Sequence, residues 1–146
     1  LLKYSLKNAS EEEVKAAIWG VGLGLDLTLR EIQADLKKQG QPWERAKSFD
    51  NSAPLSGFVP LNVVEDLDDL RFSLTINDEI RQSGHTELML YKIVPLIAHM
   101  SSVFTLDSGD VILTGTPKGV GKLTPSDTVI ASLENHLTVH TEVVAE

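Results

Sequence analysis

Val21-Gly22-Leu23-Gly24-Leu25-Asp26-Leu27-Thr28-Leu29-Arg30-Glu31-Ile32-Gln33 decides the fold class, because two periods meet inside it. Val21 to Leu25 is apolar and dotted with glycine, as in a buried strand lying close to other backbone, and it ends at Asp26. Thr28-Leu29-Arg30-Glu31 then has capping-box spacing, in which a hydroxyl at the N-cap and a carboxylate three residues on satisfy free helical N–H groups. The helix it opens carries Leu29, Ile32 and Leu36 on one face and is expected to stop near Gly40, with Pro42 beyond. Asp26 therefore sits at a strand-to-helix corner.

Outward from this corner the same signals recur. Leu1 to Leu6 reads as a short strand, and Ser10-Glu11-Glu12-Glu13 is a second capping box leading to a helix through Val14, Ala17 and Ile18. Gln41 to Pro60 has no sustained period and is read as ordered loop. Arg71 to Ile76 alternates, Asn77-Asp78-Glu79 is a turn, and Ile80 to Gln82 returns as the second arm of a hairpin. A helix is expected around Val94 to Phe104, with Pro95 in its first turn, where the missing N–H is harmless. Asp107-Ser108-Gly109-Asp110 turns into an apolar strand, Val111 to Thr114, which runs into the glycine-rich loop Gly115 to Gly121. Leu133, Asn135, Leu137, Val139, Thr141 and Val143 alternate along what reads as one long final strand. Mixed α/β structure, mostly β, follows.

Composition narrows the chemistry. The 146 residues, 42% of them apolar, suit one soluble domain with a real core. With no cysteine, thiolate zinc sites, iron–sulfur clusters, disulfides and thiol nucleophiles are all excluded. A net charge of -8 with no basic stripe argues against phosphate-backbone binding, so no nucleic-acid partner is expected. The longest apolar runs, such as Ile93 to Ala98, fall far short of the roughly 20 residues that cross a bilayer, so no membrane partner is expected either. With no secretory n-region in the sequence, a cytoplasmic location is expected. An acidic chain can still take an anionic small substrate where a few local cations outweigh the distant field, which draws attention to Arg30 and Lys47.

The candidate residues divide by what their neighbours allow. Asp26 reads either as a cap near the helix or as a hard-metal ligand at the end of a buried strand. Arg30 and Gln33 are three apart on the following helix, so both can face one region. Lys47 lies among small and aromatic neighbours in Ala46-Lys47-Ser48-Phe49-Asp50. His136 and His140, four apart on an expected strand, would be about 13 Å from each other, too far for one ion. His85, in a Gly-His-Thr loop, is the histidine best placed to approach a site. The loop Gly115 to Gly121 fits neither the Walker A pattern nor the dinucleotide fingerprint, and no Gly-x-Ser-x-Gly elbow is present.

Taken together, Gly24 to Gln33, Ala46-Lys47-Ser48-Phe49-Asp50 and Gly115-Thr116-Pro117-Lys118-Gly119-Val120-Gly121 resemble the fumarylacetoacetate hydrolase family, especially its small acylpyruvase and oxaloacetate decarboxylase members. Asn77-Asp78-Glu79-Ile80-Arg81-Gln82 resembles the family's hairpin, and the order of the four segments agrees. The resemblance implies a distorted β-sandwich roll with peripheral helices, one catalytic domain over residues 1–146, and a homodimer using Mg2+ or Mn2+. It also implies Asp26 as a metal ligand, Lys47 as the cationic catalytic residue, and Arg30, Gln33, Lys47 and Thr116 as contacts to a small keto-acid substrate. The family's other ligands, a Glu-x-Glu pair, and its His and Glu dyad correspond to positions ahead of Leu1. The expectation is therefore a domain lacking its N-terminal portion.

The activity so implied is hydrolysis of the C–C bond in acylpyruvate-type β-diketo acids through a metal-stabilised enolate. Oxaloacetate decarboxylation and keto–enol tautomerisation need the same enolate and are the alternatives on the same site. A non-catalytic scaffold or binding domain that keeps the fold is the alternative of another class.

Overall fold

Ser10 begins the first regular element as its spacing predicts. In the computed structural model, which describes residues 1–145, helix α1 (Glu11–Ala17) has a complete capping box: Glu13 N–H donates to the Ser10 hydroxyl at 3.3 Å, and Ser10 N–H donates to the Glu13 carboxylate at 2.8 Å. Val14 and Ala17 on its inner face meet Ile93, Val94 and Ile97 of a later helix, α4 (Ile93–Val103), with Leu2, Leu6, Ile18 and Leu106 completing the core. Pro95 lies in the first turn of α4 as expected. Leu1 to Leu6 forms no strand: Leu2 bridges Ile18 and Leu6 bridges Leu106, so two different partners replace a ladder. Ser101 of α4 is fully buried, and its hydroxyl accepts from Ala9 N–H at 2.9 Å and donates to Ala98 O at 2.8 Å, so it is satisfied.

The chain divides into two compact units, one of residues 1–22 and 58–146, the other of Leu23–Gly57. In the first, β1 (Gly20–Val21) pairs antiparallel with β2 (Val59–Pro60), and a four-stranded antiparallel sheet has the order β4-β3-β5-β6. Its strands are β3 (Arg71–Ile76), β4 (Glu79–His85), β5 (Thr128–Leu133) and β6 (Leu137–Glu142). The hairpin β3–β4 turns at Asn77 and Asp78, both at positive φ, and β4 runs on to His85, past the expected Gln82. The register runs from Leu74 opposite Gln82 to Thr75 opposite Ile80, which leaves Arg81 as an extra residue in a β-bulge.

The single long final strand expected from Leu133 to Val143 is instead the end of β5, a turn and β6. Asn135 takes φ +62 and reverses the chain, a conformation asparagine tolerates, so the alternation of side chains continues through a turn that period alone does not reveal. His136 lies in that turn. Val111 to Thr114 makes no ladder; Val111 and Ile112 are partly buried, Ile112 against the core, while Leu113 is exposed.

In the second unit, α2 (Arg30–Lys38) matches the expected helix and Gly40 follows its end at φ +63. The stretch from Gln41 also contains a helical turn, α3 (Glu44–Lys47), where the sequence reads only as loop. Of the strand expected over Val21 to Leu25, only Val21, the second residue of β1, and a bridge from Gly24 to Leu55 form.

Candidate functional site

The segment from Leu23 to Leu29 is extended, and its backbone is tied at alternate residues. Leu25 N–H donates to Pro54 O at 3.0 Å, Leu27 N–H to Ser52 O at 2.9 Å, and Leu29 N–H to Ala46 O at 3.1 Å. The two-residue period of an extended chain puts Asp26 and Thr28 on the same side. Lys47, the last residue of α3, meets both: its Nζ donates to Asp26 Oδ1 and, at 2.9 Å, to Thr28 Oγ1. An ammonium has three hydrogens, so with two engaged one is left for a ligand oxygen.

This geometry corrects two expectations. Thr28 does not cap α2; Leu29 occupies the N-cap with no side-chain hydrogen bond, and the Thr28 hydroxyl serves Lys47 instead. Asp26 does not end a buried strand, since its side chain is 52% exposed, whereas that of Lys47 is 30% exposed. Thr28 is thus a site residue that capping logic conceals. The signal that could have found it is the Asp-x-Thr spacing before a helix, which suits two oxygens sharing one cation.

Arg30 and Gln33 come together as their spacing predicts, Arg30 Nη1 lying 3.5 Å from Gln33 Oε1. Beside Lys47 the surface forms a shallow concavity of about 360 Å3 lined by Pro42, Trp43, Glu44, Lys47 and Ser48, with Lys37 Nζ over the Trp43 ring at 4.5 Å. Thr116 belongs to the other compact unit, where its hydroxyl accepts from Gln82 Nε2 at 2.9 Å. His85 is held between carboxylates, with Nε2 2.6 Å from Asp69 Oδ1 and Nδ1 3.4 Å from Glu87 Oε2.

Asp26 is a hard oxygen donor of the kind Mg2+ and Mn2+ accept, but one carboxylate is not a site. Among the described residues no three His, Asp or Glu side chains gather where they could hold an ion. By themselves these residues do not complete a site for a divalent cation.

The mixed α/β fold, with its Asp-Lys-Thr cluster and a separate Gly-Thr-Pro loop, is that of a known enzyme family. The family model described as fumarylacetoacetate (FAA) hydrolase C-terminal matches residues 2–144, and the chain belongs to the fumarylacetoacetate hydrolase family. Among its relatives, the oxaloacetate tautomerase YcgM of Escherichia coli (strain K12) is 53% identical over 93% of this chain and 63% of its own length. The oxaloacetate tautomerase FAHD1 of Bos taurus is 41% identical over 92% of this chain and 61% of its own. Of the solved structures, a fumarylacetoacetate hydrolase family protein from Yersinia pestis CO92 superposes with a TM-score of 0.94 at 51% identity, covering 99% of this chain and 66% of that one. Fumarylpyruvate hydrolase from Pseudomonas aeruginosa, in complex with Mn2+ and pyruvate, superposes with a TM-score of 0.92 at 28% identity, covering 99% of this chain and 62% of that one. The chain thus spans about three-fifths of the length of the curated relatives it matches.

Proposed function

We propose that this protein interconverts the keto and enol forms of oxaloacetate, as a cytoplasmic homodimer with Mg2+ or Mn2+ as its cofactor and Asp26 among the ligands. Tautomerisation removes a proton from C3, the C3–H electron pair becomes the C2–C3 double bond, the carbonyl π pair moves to the keto oxygen, and a proton is placed on that oxygen, so the proton count is unchanged. Lys47 serves this step with the N–H that Asp26 and Thr28 leave uncommitted, donating to the C2 oxygen as negative charge grows there. Arg30 and Gln33 hold a carboxylate of the substrate, and Thr116 contacts its carboxylate or keto oxygen. A bound divalent cation would supply Lewis-acid polarisation of the carbonyl.

The observation that carries this reading is the high identity, across nearly all of this chain, to relatives named oxaloacetate tautomerase. It favours the tautomerase over the acylpyruvate hydrolysis to which the motifs first point. Hydrolysis stays as a second reading because the Mn2+- and pyruvate-bound neighbour is a fumarylpyruvate hydrolase. Both reactions develop charge on the same oxygen, so one lysine can serve either.

The test is a side-by-side assay of the full-length protein with oxaloacetate, fumarylpyruvate and acetylpyruvate in Mn2+. Enol oxaloacetate should ketonise fastest. Faster cleavage of either acylpyruvate would transfer the assignment to hydrolysis, and turnover of none would leave a scaffold.

A further inference from the structure

We propose that Gln82 is a positioning residue that makes the Thr116 hydroxyl a hydrogen-bond donor for the substrate. The inference rests on the reading of Thr116 as a substrate contact. Gln82 Nε2 lies 2.9 Å from Thr116 Oγ1 and 3.0 Å from Pro117 O. A peptide carbonyl has no hydrogen to give, so the group facing Pro117 O must be the NH2 end of the carboxamide, and the amide's orientation is fixed. Its two hydrogens serve the two acceptors. Thr116 Oγ1 is thereby an acceptor toward Gln82, and its own hydrogen is free to be donated elsewhere; among the described residues Thr116 Oγ1 donates to no protein acceptor. A donor of that kind suits the carboxylate or keto oxygen of a small keto acid.

Two further observations show that β4 carries this loop. The bulge leaves Arg81 unpaired immediately before Gln82, and bulges re-aim the side chains beside them. Gly119, at φ +107, lies so close to the strand that a Cβ there would come within 1.9 Å of Arg81 O. The loop is seated on the strand backbone at Arg81 and pinned by the next side chain. Thr116 itself is exposed, open to a ligand.

A double-mutant cycle on the full-length enzyme with oxaloacetate tests this. Gln82→Glu keeps the size but has no N–H to offer Pro117 O, and it takes the Thr116 hydrogen for itself. It should raise KM about tenfold or more, with a much smaller change in kcat, in the range expected for one hydrogen bond to a charged ligand. Thr116→Val should do the same, Thr116→Ser should stay near wild type, and Gln82→Glu added to Thr116→Val should cost nothing further. Should Gln82→Glu not fold, Gln82→Met takes its place in the cycle, with the same non-additivity expected. If Thr116→Val raises KM while the Gln82 variant leaves it unchanged, or the two effects multiply, Gln82 does not act through Thr116 and the proposal is overturned, although the Thr116 contact stands. An unchanged KM in Thr116→Val would overturn both.

Discussion

Lys47 shows how little of a site depends on any single residue type. A lone lysine is normally solvated, and this one is distinguished only by the two oxygens that hold it, Asp26 Oδ1 and Thr28 Oγ1. If its third N–H meets developing charge, Lys47→Ala should lower kcat on oxaloacetate by about 100- to 1000-fold with unchanged circular dichroism, the usual cost of one preorganised donor. Lys47→Arg should not restore it, because a planar guanidinium cannot reproduce a compact ammonium seated on two oxygens. Near-normal turnover in the alanine variant would remove Lys47 from the chemistry. Thr28→Val leaves the Asp26 contact and removes one tether, so steady-state kinetics should show a loss of about fivefold, the worth of roughly 1 kcal/mol. Asp26 and Lys47 could be picked out in the sequence only through the motifs that flank them. Thr28 was hidden because Thr-x-x-Glu before an apolar run is also the pattern of a helix cap, and local spacing cannot say which partner a hydroxyl takes.

Among the elements, those with a local chemical cause were legible and those with a tertiary cause were not. The α1 cap is decided within four residues, and Ser10→Ala should cost about 1 kcal/mol in a denaturant titration. The β3–β4 hairpin and α4 follow from alternation and helical period. The β5–β6 turn escaped notice because Asn135 at φ +62 interrupts the strand without interrupting the alternation. α3 is a single turn with too little sequence to show a period. Asp127 gives the sheet a pH dependence whose sign can be worked out. Its carboxylate accepts from Thr124 N–H at 2.7 Å and from Asn77 Nδ2 at 2.7 Å, and these bonds hold it below the usual carboxylate range. A depressed folded value means that the unfolded chain binds the proton more readily. The contribution is therefore present above about pH 4, where the unfolded carboxylate ionises, and is lost as pH falls through the lower folded value. Thermal melts should accordingly find Asp127→Ala less stable than wild type at pH 7, with the gap narrowing steadily below pH 4. A gap independent of pH would mean that the ionised form has no special role.

For the whole molecule, neither charge nor period could have supplied the assignment. The net charge of -8 excludes classes of partner but selects none, and the periods alone lead to a mixed fold with one strand too long and with strands over Leu1 to Leu6 and Val111 to Thr114 that form no ladder. Four separated motifs in a fixed order carried more, because unrelated chains seldom share such an order by chance, and the family match over residues 2–144 spans all four. What no local reading could supply is the rest of a cation site: among the described residues Asp26 stands alone as a candidate, and a single half-exposed carboxylate gives a divalent ion little reason to lose its water. The proposed cofactor can be measured through stability as well as through turnover. An ion that binds only the folded state adds RT ln(1 + [L]/Kd), about 2.7 kcal/mol at 100 times Kd, so Mn2+ at that level should raise the melting temperature of the full-length protein by several degrees and EDTA should reverse the rise. Asp26→Ala should weaken Mn2+ binding in calorimetry and shrink the thermal shift at the same metal concentration, while melting normally without metal. If the variant binds Mn2+ as tightly as wild type, Asp26 is not a ligand, and the carboxylate serves only to hold Lys47.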